Sequence, residues 1–189
     1  MGGFLLPKRG NTMNELKSFL KEHKAEMKAA LAGLVACESV RGEATETAPF
    51  GEGVKEALHT FLALCEKNGL ATRNVDNYVG VAEIGDQTAP LGILCHLDVV
   101  PAGEGWDFDP FTLTEKGGFL YGRGAIDDKG PTVAVLFALL AVLSTGKPLV
   151  RGVRLIAGCA EETDWEDMDY YTARESFPKL LFTPDAQFP

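Results

Sequence analysis

From Met13 to about Cys37 the apolar residues Leu16, Phe19, Leu20, Met27, Ala30, Leu31 and Leu34, with His23 among them, recur at three- and four-residue spacing. That spacing draws one face of a helix. A loop rich in Thr, Glu and Gly follows over Gly42–Gly53, with Pro49 inside it. Val54, Ala57, Leu58, Phe61, Leu62 and Cys65 then make a second helical stripe, which Gly69 can stop. Tyr78–Ile84 and Leu91–His96 are short aliphatic or β-branched runs bounded by Gly85-Asp86 and Pro101, and are expected to be adjacent strands, with Phe119–Gly122 as a third. Asp128 to Thr145 is apolar nearly all round, a pattern that requires cover on both sides, and Gly146 and Pro148 end it. Val153–Ala160 reads as another buried strand, and Glu166–Glu175 as a helix start leading to a loop that holds Pro178 and Pro184. Strands and helices interleave in the α/β manner.

Composition narrows the function. The 189 residues carry 18 Lys+Arg against 27 Asp+Glu, a net charge of −9, and no run of basic residues could grip a phosphate backbone, so nucleic acid is not an expected partner. The longest apolar run, Val133 to Leu143, is eleven residues, whereas a membrane span needs about 20. No membrane association is expected, and the run reads as a buried helix. Cys37, Cys65, Cys95 and Cys159 form no C-x-x-C pair, which fits reduced thiols in a cytoplasm. Residues 1–12 show no secretory or myristoylation signal and are expected to be a disordered extension, with the fold beginning at Met13. No repeat, low-complexity tract or linker divides the rest, so 13–189 is one domain or part of one.

The acids with chemical meaning fall at the ends of predicted strands, where open α/β sheets place their ligand sites. His96 and Asp98 point the same way in Cys95-His96-Leu97-Asp98. A carboxylate so placed can orient an imidazole and raise its basicity, although an isolated H-x-D is more often a histidine beside a surface acid. Asp127 and Asp128 close a glycine-rich turn, Gly122-Arg123-Gly124-Ala125-Ile126, that runs into the buried helix. One acid there could simply cap the helix. The turn fails as a dinucleotide fingerprint because Asp127 replaces the third glycine, and a cation is the better guest. Glu161-Glu162 ends a buried strand; alternation would turn the two opposite ways, one toward a metal and the other toward a proton, unless they form a solvated acidic loop. Asp185 sits in a proline-stiffened loop that would otherwise be an ordinary turn. One histidine among several acids is the donor set of a hydrolytic zinc, manganese or cobalt centre. No G-x-S-x-G elbow or G-x-x-x-x-G-K-[ST] loop offers a rival chemistry, and His23 and His59 lie on the faces of early helices.

His96-Leu97-Asp98-Val99-Val100-Pro101, Trp106-Asp107-Phe108-Asp109-Pro110-Phe111, Tyr121-Gly122-Arg123-Gly124, Asp127-Asp128-Lys129-Gly130, Glu161-Glu162 and Thr183-Pro184-Asp185 occur in that order. Together they closely resemble the dinuclear zinc peptidase family of aminoacylase, carnosinase, glutamate carboxypeptidase and the bacterial peptidase V type Xaa-His dipeptidases. The stretch Asp164–Tyr171 and the ending Pro184–Pro189 look most like the peptidase V branch. The resemblance implies an α/β three-layer sandwich, a mixed, mainly parallel sheet flanked by helices, of which this chain carries the N-terminal part of the catalytic domain without the lid domain. It implies two zinc ions per active site, with cobalt or manganese as alternatives. His96, Asp127 and Asp185 would hold one, and Asp127 would bridge to a second held also by Glu162. Asp98 would orient His96, Glu161 would act as general base on a metal-activated water, and the peptide after Asp127 would be cis. Arg123 and Lys129 read as partners of the acids. The implied activity is hydrolysis of dipeptides or short peptides; the alternatives are an N-acyl amino acid deacylase or desuccinylase of the same family, or a non-catalytic remnant. The family's second metal is completed by a histidine further along a longer chain, so this polypeptide alone is expected to bind metal weakly and hydrolyse poorly. Its open sheet edge and apolar face are expected to favour self-association.

Overall fold

The computed structural model describes residues 12–185. The expected extension therefore lies outside the described residues except for Thr12, as does the end of the peptidase V-like ending, Ala186–Pro189. Thr12 itself opens a helix, α1 (Thr12–Glu22), followed by α2 (Lys24–Ala36) and α3 (Glu52–Lys67). The first long stripe is thus two helices with His23 at the joint. The His23 ring stacks on Phe19 at 3.8 Å, and its Nδ1 donates to the Phe19 carbonyl at 2.8 Å, the same oxygen that its backbone N–H uses. Its backbone, at φ −95° and ψ 12°, departs from helical geometry between the two helices.

A five-stranded sheet follows, built from β1 (Ala71–Val75), β2 (Val79–Ile84), β3 (Leu91–His96), β6 (Val153–Gly158) and β7 (Leu180–Phe182) in the order β1-β2-β6-β3-β7. β2 and β3 are therefore not neighbours, contrary to the sequence expectation, because β6 lies between them. The chain leaves β3, passes through α4 (Lys129–Ser144) and returns as β6 parallel to β3. Such a crossover is how two parallel strands are joined. The sheet is mixed: β3 pairs parallel with β6 and β7, while β2 pairs antiparallel with β1 and β6. Phe119–Tyr121 does not enter this sheet. As β5 it forms a separate hairpin with β4 (Thr114–Lys116), and its three residues are exposed.

Strand alternation explains the layers. Ala82, Leu155 and Ala157 face a core shared with α2, α3 and α4, whereas Val81 and Ile156 face a smaller core closed by Met168 and Tyr171 of α5 (Glu166–Thr172). Helices thus cover both faces of the sheet. The expectation that α4 is covered all round fails on one side, where Ala134, Ala138 and Val142 are exposed.

Candidate metal centre

Because β3, β6 and β7 are parallel, their C-terminal ends share one edge of the sheet, and the turn into α4 opens beside them. That topology brings His96 (end of β3), Glu161 and Glu162 (after β6), Asp185 (after β7) and Asp127 (before α4) into one cluster, although they span about half of the chain. His96, Asp127 and Asp185 each present a donor atom within 4.8 Å of the others, and His96, Glu161 and Glu162 do the same.

His96 is at the centre and its side chain is 3% exposed. Its Nε2 lies 2.9 Å from Asp127 Oδ1 and 3.9 Å from both Glu161 Oε2 and Asp185 Oδ2. On the other side of the ring, Nδ1 donates to the backbone carbonyl of Asp98 at 3.0 Å, with Asp98 Oδ1 at 3.4 Å. With Nδ1 donating to the Asp98 carbonyl, Nε2 is the ring atom left to face the carboxylates: protonated, it donates to Asp127 Oδ1, and deprotonated it can bind a metal.

The Asp98 carboxylate is itself buried, and it accepts the backbone N–H of Glu161 at 3.2 Å and of Glu162 at 2.9 Å. One side chain thus fixes the histidine end of β3 against the glutamate turn after β6. Asp167 does the same from α5: its Oδ2 accepts the N–H groups of Cys159 and Ala160, the latter at 3.0 Å. From the far side Arg41 reaches Thr163 Oγ1 at 3.0 Å, Asp164 Oδ1 at 2.9 Å and Glu166 Oε2 at 2.8 Å, tying the same turn to the α2–α3 loop. Held this way, Glu161 and Glu162 both turn toward His96 and do not diverge as strand alternation suggested, because they sit in a turn rather than in the strand.

Several sequence readings are corrected here. Asp128 stands at the N-cap position of α4 but makes no side-chain capping bond; buried, it accepts the His96 backbone N–H at 3.1 Å. Arg123 and Lys129 do not pair with the acids. Arg123 donates to the carbonyls of Pro101 and Ala102 and stacks on Trp106, and Lys129, fully buried, donates to the Cys37 carbonyl at 2.8 Å. The peptide joining Asp127 and Asp128 is cis, as the resemblance implies. Arg41 and Asp167 carry no motif in the sequence; only the placement of Asp167 within the acidic run Asp164–Asp169 hinted at a role.

The electrostatics favour a cation. Burial pulls the His96 imidazolium down, but the Asp98 hydrogen bond and the charges of Asp98, Asp128 and Glu161 outweigh it and push the pKa up to about 10. Burial pushes Asp128 up to about 7, against the opposing pull of the His96 N–H. Glu161 and Glu162 are also raised, first by burial and then by neighbouring acids, among them Asp185 for Glu161 and Asp127 for Glu162. One imidazole among this many carboxylates leaves negative charge uncompensated, which a divalent cation offsets. Nitrogen and oxygen donors in this mixture suit zinc, manganese or cobalt. The residues present therefore fit such an ion.

Comparison with known proteins agrees. Residues 92–183, which hold most of the cluster, match the model of peptidase family M20/M25/M40. A Bacillus subtilis protein named "Putative dipeptidase YtjP" is 48% identical over 141 residues, covering 75% of this chain and 30% of that protein. A "Putative dipeptidase" of Staphylococcus epidermidis is 40% identical over 175 residues, covering 92% of this chain and 37% of that one. The chain thus spans about a third of the length of these curated relatives. Among solved structures, human carnosine dipeptidase 1 shares the fold with a TM-score of 0.80 at 24% identity, over 96% of this chain and 42% of that chain. An M20 family metallo-carboxypeptidase of Sulfolobus solfataricus superposes with a TM-score of 0.62 at 28% identity, over 72% of this chain and 31% of that chain. The match to peptidase family M20/M25/M40 runs from β3 to the loop after β7, a little under half of the chain.

Proposed function

We propose that this chain is the cation-binding part of a dipeptidase, an enzyme that hydrolyses the amide bond of a dipeptide or short peptide. The observation that carries the reading is the convergence of His96, Asp127 and Asp185 with Glu161 and Glu162 at one edge of the sheet. His96, Asp127 and Asp185 would hold one divalent ion, and Asp127 with Glu162 would contribute to holding a second; zinc suits the donors, with cobalt or manganese as substitutes. Bound there, the ions would supply Lewis acidity toward water and toward the amide carbonyl.

The chain's own groups supply positioning and proton transfer. Glu161 is partly exposed and its pKa is raised, so its carboxylate can take a proton from the attacking water and return it to the leaving amine nitrogen. Asp98 acts through other groups: it anchors the backbone of both glutamates and supports the Nδ1 side of His96. The relatives' names favour a dipeptide over an N-acyl amino acid as the substrate. Four free, buried cysteines support a reducing, cytoplasmic setting, and no helix among the described residues is long and apolar enough to cross a membrane.

Two measurements test this reading. In zinc calorimetry on the chain, His96→Ala and Asp185→Ala should each abolish the tightest binding event; unchanged binding in either would remove the proposed ligand set. A chimera in which this chain replaces the matched part of the Bacillus subtilis relative should hydrolyse unblocked dipeptides and lose that activity on Glu161→Gln. A folded chimera that cleaves N-acyl amino acids but not dipeptides would overturn the substrate assignment.

A further inference from the structure

The opposite end of the sheet holds a cleft of its own. There the N-terminal ends of β3, β6 and β7 lie side by side, with Leu91 level with both Val153 and Leu180, while His96 stands at the other end of β3. At about 3.3 Å per residue the two ends of β3 are roughly 16 Å apart, so this cleft is remote from the cation centre. It measures about 710 Å³ and opens between the β2–β3 loop, the start of β6 and the segment from Glu175 to Leu180. Clefts that take small molecules commonly enclose about 300–1,000 Å³.

The charge of the cleft is opposite to that of the chain. Arg151, Arg154 and Lys179 line it against a single acid, Glu175, in a protein of net charge −9. Glu175 is already committed, since both of its oxygens accept from Arg73. Arg154 is matched by Glu83, whose Oε1 lies 2.6 Å from its Nε. Arg151 and Lys179 are left over, and neither forms an ion pair among the described residues. The one hydrogen bond of Arg151, from Nη1 to the Ala89 carbonyl at 3.4 Å, holds the guanidinium against the cleft wall and leaves its other N–H donors free. A planar guanidinium fork matches a carboxylate. The remaining walls are apolar: Pro90 and Pro178 are buried, and Phe177 is packed on Tyr171 with ring centroids 5.4 Å apart. Such a wall has nothing to offer a bare phosphate, whereas it suits the hydrocarbon part of an organic acid.

We propose that this cleft binds a small organic carboxylate with an apolar body, its carboxylate held by Arg151 and Lys179 and its body lying against Phe177 and Pro178. A free apolar amino acid and a simple branched-chain acid both carry that chemistry. The inference rests neither on the cation centre nor on the dipeptidase reading.

The test is an amide NMR titration of the 189-residue chain in EDTA, so that no metal offers the carboxylate a rival site. The probes are isocaproate, L-leucine, isopentylamine and inorganic phosphate. Isocaproate should shift the side-chain amide of Gln87 and the backbone signals of Arg151 and Ser176, all at the cleft, and leave those of His96 and Glu161 in place. A Kd on the order of 1 mM is the range open to a ligand of so few atoms. Arg151→Gln and Lys179→Gln, both at exposed positions, should each weaken binding about fivefold or more, while Lys17→Gln on α1 leaves it unchanged. The dispersion of the same spectra establishes that each variant is folded. Whether leucine or isocaproate binds more tightly tells an amino acid from a simple acid as the source, and either ranking supports the proposal. Four results overturn it: no shift at about 20 mM carboxylate, well above that Kd; isopentylamine binding as tightly as isocaproate; phosphate binding as tightly, which would make the cleft a general anion patch; or isocaproate affinity that survives both substitutions.

Discussion

Asp98→Asn isolates the contribution of one buried carboxylate. The side chain is 2% exposed, accepts the N–H groups of Glu161 and Glu162, and stands 3.4 Å from His96 Nδ1. An amide of the same size keeps one acceptor oxygen and turns an NH2 group toward the other N–H. One hydrogen bond to a charged acceptor is lost, worth about 1.5–3 kcal/mol, and a donor is left unpaired inside, so the total cost is about 2–4 kcal/mol. With a urea m-value of about 2–3 kcal/mol per molar for a protein of this size, the midpoint should fall by about 1 M. Urea unfolding in EDTA followed by circular dichroism reads this term without metal. The same variant loosens the turn that aims both glutamates and the ring that carries Nε2, so calorimetry should show zinc affinity reduced about 10–100-fold, the usual effect of disturbing groups behind a metal ligand. A midpoint within about 0.2 M of the parent together with unchanged zinc affinity would refute the assignment of Asp98 as the link between β3 and the glutamate turn.

Asp167→Asn removes the corresponding anchor on the α5 side, where the carboxylate accepts N–H groups from Cys159, Ala160 and Met168; it should cost about 2–4 kcal/mol in the same urea assay. Gly130→Ala would drive a methyl group into the Ala125 carbonyl oxygen, so the turn carrying Asp127 must shift. A stability loss of about 1–3 kcal/mol and weaker zinc binding by calorimetry are expected. Cys65 provides a pH test, since burial pushes its thiol from 9.0 up to about 12. Between those values the unfolded chain loses a proton that the native state keeps, so stability falls as pH rises, by about 2–3 kcal/mol from this one thiol at pH 11. Cys65→Ala should flatten the decline measured by urea unfolding from pH 8 to 11, and an unaltered slope would contradict it.

Long periodic segments and strongly bounded apolar runs were legible from the sequence: α3, α4, β3 and β6 lie within a residue or two of their expected limits. β1 escaped because Ala71-Thr72-Arg73-Asn74-Val75 is a half-exposed sheet edge with no apolar alternation. Its signal was the turn that follows, where Asp76 and Asn77 both adopt positive φ, a conformation that Asp and Asn tolerate better than most residues. β7 has three residues between two prolines, too few to show a period. Strand order was not legible at all: sequence neighbours β2 and β3 are separated by β6, a consequence of the crossover and not of anything local. The candidate ligands were readable because acids at strand ends are conspicuous, whereas the supporting contacts of Asp128, Asp167 and Arg41 exist only once distant segments meet.

The parallel arrangement of β3, β6 and β7 also sets the order of events during folding. Asp98 and Glu162 are 64 positions apart, and His96 and Asp127 are 31 apart. The first pair cannot meet until β3 has found β6 across the α4 crossover, a closure of the long-range kind that slows folding. A cation held by the proposed ligands would therefore come too late to template the sheet. In a refolding experiment it should leave the rate of the main phase unchanged and slow unfolding instead, recording the moment at which the last strands lock.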